Sequence, residues 1–233
     1  LALLRACEHR AEVNLANLSA YVPGIYGKDV RIADHPMLDD PRIFREEYPI
    51  HEDLYPKTIY LLRDPRSAIV SLFHMYRVEC SDTTMTLSQF VDDYLRMSGC
   101  FRTWNRGLIR WDRQVSQWMK RTGEAGRVCI VRYEEMIKDR RHVLERVAGF
   151  AGLITTSQNL DEAAARGSFE AMRELEARHG VEAYPGQMAR RGRFIRAGTT
   201  AGWKDELDWS LVRRIEAEFG DAMEIAGYLA SEP

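Results

Sequence analysis

Two short apolar runs, TIYLL at 58–62 and VCIV at 128–131, most constrain what this chain folds into. Each is five residues or fewer, neither alternates apolar with polar positions, and each ends in charge. Runs of this kind suit strands of a parallel sheet buried on both faces, where every side chain meets apolar surroundings. The first continues as YLLRDPRSAIVSLFHMYR, so the strand is expected to become a helix at Arg63-Asp64-Pro65-Arg66. Proline is tolerated in a helix's first turn, where its missing N–H has no partner to lose. Ile69, Leu72, Phe73 and Tyr76 then fall on one helical face, with Ser67 and Ser71 on the other.

Similar alternation runs through the chain without repeats or a low-complexity linker, which points to one α/β domain over all 233 residues. Amphipathic helices are expected over 86–97, 108–121, 142–152 and 168–180, the last two stopping at Gly152 and Gly180. Asp208 is placed to cap a final helix carrying Leu211, Val212, Ile215, Phe219 and Met223. Between them, residues 183–204 are rich in glycine, arginine and threonine and read as a long loop of the functional kind.

Net charge is −2, so no chain-wide basic field recruits nucleic acid and any anion site must be local. No apolar run approaches the roughly 18 residues that span a membrane. Cys7, Cys80, Cys100 and Cys129 form no C-x-x-C pair or metal spacing, and read as reduced thiols of a cytoplasmic protein. The excess of arginine over lysine suggests a GC-rich genome. The chain opens on Leu1, inside a helical pattern, so further sequence is expected upstream.

The strand-to-helix seam is a ready anion site: unpaired N–H groups, a favourable dipole and the guanidinium of Arg63 meet there, with Ser67 and Ser71 offering hydroxyls. An Arg63–Asp64 ion pair with solvated serines is the competing reading. A second basic stretch, RRGRFIRAGTTAGWK at 190–204, brings Arg196 beside Gly198, where backbone N–H groups can approach an oxyanion closely. A solvated basic loop is the alternative there.

In order and content, YLLRDPRSAIVSLFHMYR, IVRYEEMIKD, SFEAMRELE and FIRAGTTAGWKDEL resemble the soluble sulfotransferases that use 3′-phosphoadenosine 5′-phosphosulfate. The resemblance extends from near Leu1 to the last helix and suggests a bacterial member. It implies an α/β fold with a parallel central sheet flanked by helices, the P-loop-NTPase-like sulfotransferase fold. The family's first strand and its lysine-bearing phosphosulfate loop are expected just before Leu1. Carried onto this chain, Arg63, Ser71, Arg196 and Gly198 would bind the 3′-phosphate. Tyr133 would lie near the adenine and Phe169 would stack on it, with Ser168 and Met172 close by; core packing of Phe169 and Met172 is the plainer reading. Trp203 would pack the far end of the loop.

Resemblance further implies an in-line transfer to a hydroxyl of a small-molecule acceptor, without a metal. His35, in VRIADHPM at 30–37, stands where the family keeps its catalytic base, although Ala33 and Asp34 replace the usual lysine and threonine. His9, His51, His74, His142 and His179 lack that context. Ala197 removes a cation from the 3′-phosphate loop, for which Arg191 or Arg193 would compensate, and Gly167 replaces a common hydroxyl residue. Two alternatives stay open: a small-molecule kinase on a similar fold, and a nucleotide-binding relative without catalysis. Acceptor and oligomeric state are not encoded legibly.

Overall fold

The computed structural model describes residues 2–8, 12–14, 17–18, 21–22, 43–45, 55–80, 84–96, 100–101, 105–106, 109–124, 126–180 and 193–229. In chain order the elements are α1 (Ala2–Glu8), β1 (Thr58–Leu62), α2 (Pro65–Cys80), α3 (Leu87–Arg96), β2 (Cys100–Phe101), β3 (Asn105–Arg106) and α4 (Trp111–Lys120). There follow β4 (Val128–Arg132), α5 (Tyr133–Lys138), α6 (Arg140–Ala151), α7 (Ser157–Arg166), α8 (Phe169–His179), α9 (Trp203–Glu206) and α10 (Trp209–Ile225). The chain divides into two compact units, Leu1–Pro49 with Lys138–Gly198, and Ile50–Ile137 with Thr199–Pro233.

The second unit carries the sheet. β1 and β4 pair in parallel, Thr58 against Val128 through Leu62 against Arg132, which joins the two apolar runs of the sequence side by side. Burial on both faces does not follow for the described residues. Leu62 is 1% exposed whereas Leu61, which points to the opposite face of the strand, is 56% exposed. β2 and β3 form a separate two-residue antiparallel pair.

Leu62, Ile69, Val70, Phe73, Phe90, Val115, Ile215, Phe219 and Met223 belong to one apolar cluster contributed by β1, α2, α3, α4 and α10. Each side chain of this size contributes about 1.5–3 kcal/mol when fully buried, so the cluster anchors the C-terminal end of β1 firmly. Asp208 accepts from the backbone N–H of Ser210 and Leu211 and caps α10 as expected.

In the first unit, α1 packs with α6 and α7 around Leu4, Ala148, Leu160 and Ala163. Thr156 caps α7 and Asp139 caps α6. Gly152 ends α6 at φ 78°, a left-handed position that glycine fills without steric penalty. Ser168 caps α8, its hydroxyl accepting from the N–H of Ala171. A Cβ at Gly167 would sit 3.2 Å from the Ala163 carbonyl oxygen and 3.2 Å from Arg140 Cδ, tighter than ordinary contact.

Candidate functional site

At the end of β1 the charged seam resolves into a helix cap. Asp64 Oδ1 accepts from the backbone N–H of Arg66 at 2.9 Å, satisfying a donor in the first turn of α2. The carboxylate is also gripped by the Arg66 side chain, Nε to Oδ1 at 2.9 Å and a terminal nitrogen to Oδ2 at 2.7 Å. The other terminal nitrogen of Arg66 reaches Glu216 at 2.6 Å, and the guanidinium lies 4.2 Å from the Trp203 ring centre. Burial alone would lower the Arg66 pKa, but hydrogen bonds and charge from Asp64 and then Glu216 raise it above its ordinary value. The Arg63–Asp64 ion pair considered from sequence is therefore not formed; Asp64 belongs to Arg66.

Arg63 is left for other work. Its guanidinium carbon lies 4.3 Å from the Tyr133 ring centre, and a terminal nitrogen donates to the Thr199 carbonyl at 3.3 Å. Its Nε is buried without a hydrogen-bond partner. An orphaned donor on a charged group is unfavourable unless a ligand or water completes it. Ser67 does not offer its hydroxyl to an anion, as the sequence reading allowed, but donates to the Thr200 carbonyl at 2.9 Å and is buried. Ser71, one turn on, is exposed. Arg63, Ser71 and Tyr133 thus all fall in the second unit.

Ser168, Phe169, Met172, Arg196 and Gly198 all fall in the first unit. Gly198 has φ 63°, and an added Cβ would lie 2.3 Å from Phe169 Cδ2. The loop therefore passes directly against this ring, and only glycine fits. Arg173 approaches the same ring, 5.3 Å from its centre. Met172 is half-buried and Arg196 exposed. Glu176, from α8, accepts the N–H of Phe194 at 2.5 Å and of Ile195 at 2.9 Å, fixing the loop just ahead of Arg196.

Trp203 is buried, as expected, and opens α9. His74 pairs with Glu206, Nε2 to Oε2 at 2.5 Å, which accounts for it structurally. Arg193 is exposed, whereas Arg191, Ala33, Asp34 and His35 lie outside the described residues. Sequence reasoning passed over Trp111, Glu134 and Glu176, whose side chains hold backbone next to the candidate arginines. The signal for Glu134 was its place directly after Tyr133; Trp111 and Glu176 sit on helices with nothing local to mark them.

A family model described as "Sulfotransferase domain" matches residues 2–227, spanning both compact units. The chain belongs to the sulfotransferase domain family. Among its relatives is a 3-beta-hydroxysteroid sulfotransferase of Cavia porcellus, 26% identical over 199 residues that cover 81% of this chain and 65% of the relative. Sulfotransferase 2B1 of Homo sapiens is 29% identical over 154 residues, covering 65% of this chain and 40% of the relative. Cytosolic sulfotransferase 13 of Arabidopsis thaliana is 25% identical, with 78% and 58% covered. The chain therefore spans less than two thirds of these relatives' length. Among solved structures, retinol dehydratase in complex with androsterone and inactive cofactor PAP superposes with a TM-score of 0.66 at 23% identity, covering 83% of this chain and 56% of that one. Mouse sulfotransferase SULT7A1 complexed with PAP gives 0.64 at 21%, covering 80% and 70%. At such identities the structural likeness establishes the fold, a mostly helical α/β arrangement around a small parallel sheet. No helix among the described residues is long and apolar enough to cross a membrane.

Proposed function

We propose that this chain, acting as one domain, moves a sulfuryl group from 3′-phosphoadenosine 5′-phosphosulfate to a hydroxyl of a small-molecule acceptor. The observation that carries the reading is Arg63: a cation at the strand-to-helix seam, steadied by Tyr133 and Thr199, with a buried Nε lacking a partner. A phosphate oxygen is the acceptor such a donor lacks. Gly198, held at positive φ against Phe169, provides the backbone approach that an oxyanion needs.

In this reading Arg63, Ser71, Arg196 and Gly198 hold the 3′-phosphate. Tyr133, Ser168, Phe169 and Met172 receive the adenine, Phe169 by stacking. Ser168 already accepts the Ala171 N–H, and its own hydroxyl proton stays available to a base nitrogen. His35 takes the proton from the acceptor hydroxyl as its oxygen bonds to sulfur and the bond from sulfur to the phosphate oxygen breaks in line. The donor supplies the sulfuryl group, so the protein's part is positioning and charge stabilisation. No metal is required. A cytoplasmic setting fits the plant relative described as cytosolic, and relatives or neighbours described with hydroxysteroid, androsterone and retinol make apolar hydroxylated molecules the first acceptors to try.

Labelled sulfate from the donor, offered to a panel of hydroxylated small molecules, tests the proposal. Transfer is expected for at least one acceptor and should fall by about 10²–10⁴ in His35→Ala, the usual worth of a general base. Adenosine 3′,5′-bisphosphate should also raise the melting temperature well beyond what ADP does. Equal stabilisation by the two nucleotides would remove the 3′-phosphate site from the account.

A further inference from the structure

The peptide joining Arg63 to Asp64 sits where strand pairing has ended and helix bonding has not begun, so neither of its polar groups has a regular backbone partner. Both are nevertheless held. The Arg63 carbonyl accepts from the Trp111 indole Nε1 at 3.0 Å, and the Asp64 N–H donates to Glu134 Oε1 at 3.2 Å. Behind Glu134, the Tyr228 hydroxyl donates to Oε2 at 2.8 Å. The indole is seated in turn by its own backbone N–H, which donates to the Tyr94 hydroxyl at 3.2 Å. Two side chains from two different helices thus fix one peptide plane, and that plane is the root of the Arg63 side chain.

We infer that Glu134, backed by Tyr228, is a positioning residue that fixes the Arg63–Asp64 peptide and thereby sets where the Arg63 guanidinium is presented to the nucleotide's 3′-phosphate. The inference rests on the donor reading above and adds to it a residue that acts through Arg63. A carboxylate beside an anion site otherwise makes little sense, since its charge repels the ligand. What recommends it is geometry: it presents two acceptor oxygens to two donors that point at it from different elements.

This distinction yields opposite expectations. Glutamine at 134 keeps one carbonyl oxygen for the Asp64 N–H, and its amide can donate to Tyr228, whose hydroxyl can reverse to accept. Glu134→Gln should therefore keep the brace, whereas Glu134→Ala removes it. If the carboxylate acted through charge alone, both changes would tighten nucleotide binding.

The test is calorimetric binding of adenosine 3′,5′-bisphosphate and of AMP, which differ only by the 3′-phosphate, to the protein and its variants. The readout is the ratio of the two dissociation constants, with melting temperature recorded alongside. Wild type should favour the bisphosphate strongly. Glu134→Ala should reduce that ratio about tenfold, as expected when one charged hydrogen bond to phosphate is misplaced. Glu134→Gln should stay within about threefold of wild type, and the double variant Glu134→Gln/Tyr228→Phe should fall between Glu134→Gln and Glu134→Ala, because its carbonyl still accepts the Asp64 N–H while its amide has lost the Tyr228 hydroxyl that fixed it. Should Glu134→Ala fail to fold, the comparison of the single and double glutamine variants decides. A ratio unchanged in Glu134→Ala or in the double variant, with only the melting temperature lowered, makes Glu134 merely structural and overturns the inference. Tighter bisphosphate binding in Glu134→Gln overturns it in favour of charge. A wild-type ratio near one instead overturns the donor reading, and this inference with it.

Discussion

Gly198→Ala perturbs the loop at one atom. Glycine there has φ 63°, where an L-residue with a Cβ loses roughly 1–2 kcal/mol to its own carbonyl. The new methyl would also lie 2.3, 2.7 and 2.8 Å from Cδ2, Cε2 and Cγ of Phe169. Ordinary contact begins at 3.4 Å, so the ring must retreat by 3.4 − 2.3, about 1.1 Å, or the loop must lift by as much. Turning the ring off its rotamer adds roughly 0.5–1.5 kcal/mol. Together these give about 1.5–3.5 kcal/mol, divided between folding and nucleotide binding because Phe169 is the proposed stacking partner. Urea unfolding and calorimetry with adenosine 3′,5′-bisphosphate measure the two shares. Gly149→Ala is the control: nothing lies within 4 Å of its new Cβ and it sits inside α6, so it should be neutral or stabilising by up to about 1 kcal/mol. If Gly198→Ala unfolds and binds like wild type, the close approach of loop to ring is not a feature of the protein in solution.

Arg63→Ala should weaken bisphosphate binding by roughly 1.5–3 kcal/mol with little change in AMP binding; unchanged bisphosphate affinity would take Arg63 out of the site. Asp64→Ala removes the α2 cap and half of the Arg66 clamp, and should lower unfolding free energy by about 2–3 kcal/mol, less than a fully buried pair because Glu216 remains. Glu176→Ala should free the Phe194 and Ile195 N–H groups, read as faster amide exchange at both residues, with α8 itself still protected. Asp208 is held below the usual aspartate range, first by the Ser210 hydroxyl and then by the Leu211 N–H. Its contribution is therefore present above the unfolded-state pKa and lost as acid carries the pH down through the lowered folded value. Asp208→Asn should show a shallower loss of stability over that acid window, read from melting temperature against pH.

Much of this was legible because the strongest signals are local. Thr58–Leu62 appeared as the strand that TIYLL announced, and Gly152, Gly180 and Asp208 ended or began helices where their backbone preferences required. Exposure of Leu61 was not legible, since a five-residue apolar run does not say which of its faces a neighbour will cover. The seam shows the same limit: its charges marked an unusual junction, but the choice of Arg66 over Arg63 as partner for Asp64 depends on Glu216 and Trp203, roughly 140–150 residues away. Ser67 was misread for a similar reason, its hydroxyl being claimed by the distant Thr200 carbonyl. The proposed nucleotide residues rest on motif order, a signal that stays readable when overall identity to relatives is near one quarter. His35 is proposed from that order alone, and lies outside the described residues.

Trp111 bears on more than its hydrogen bond to the seam. Its indole is tilted against Phe219, with ring centres 5.8 Å apart, and against Tyr228 at 6.3 Å. Buried Phe219 of the terminal helix and Arg63, just past the end of β1, therefore share a lever. A conservative repacking at Phe219 that leaves the melting curve almost untouched can still tilt that lever, so affinity for a small anion becomes a sensitive gauge of how well the interior is filled.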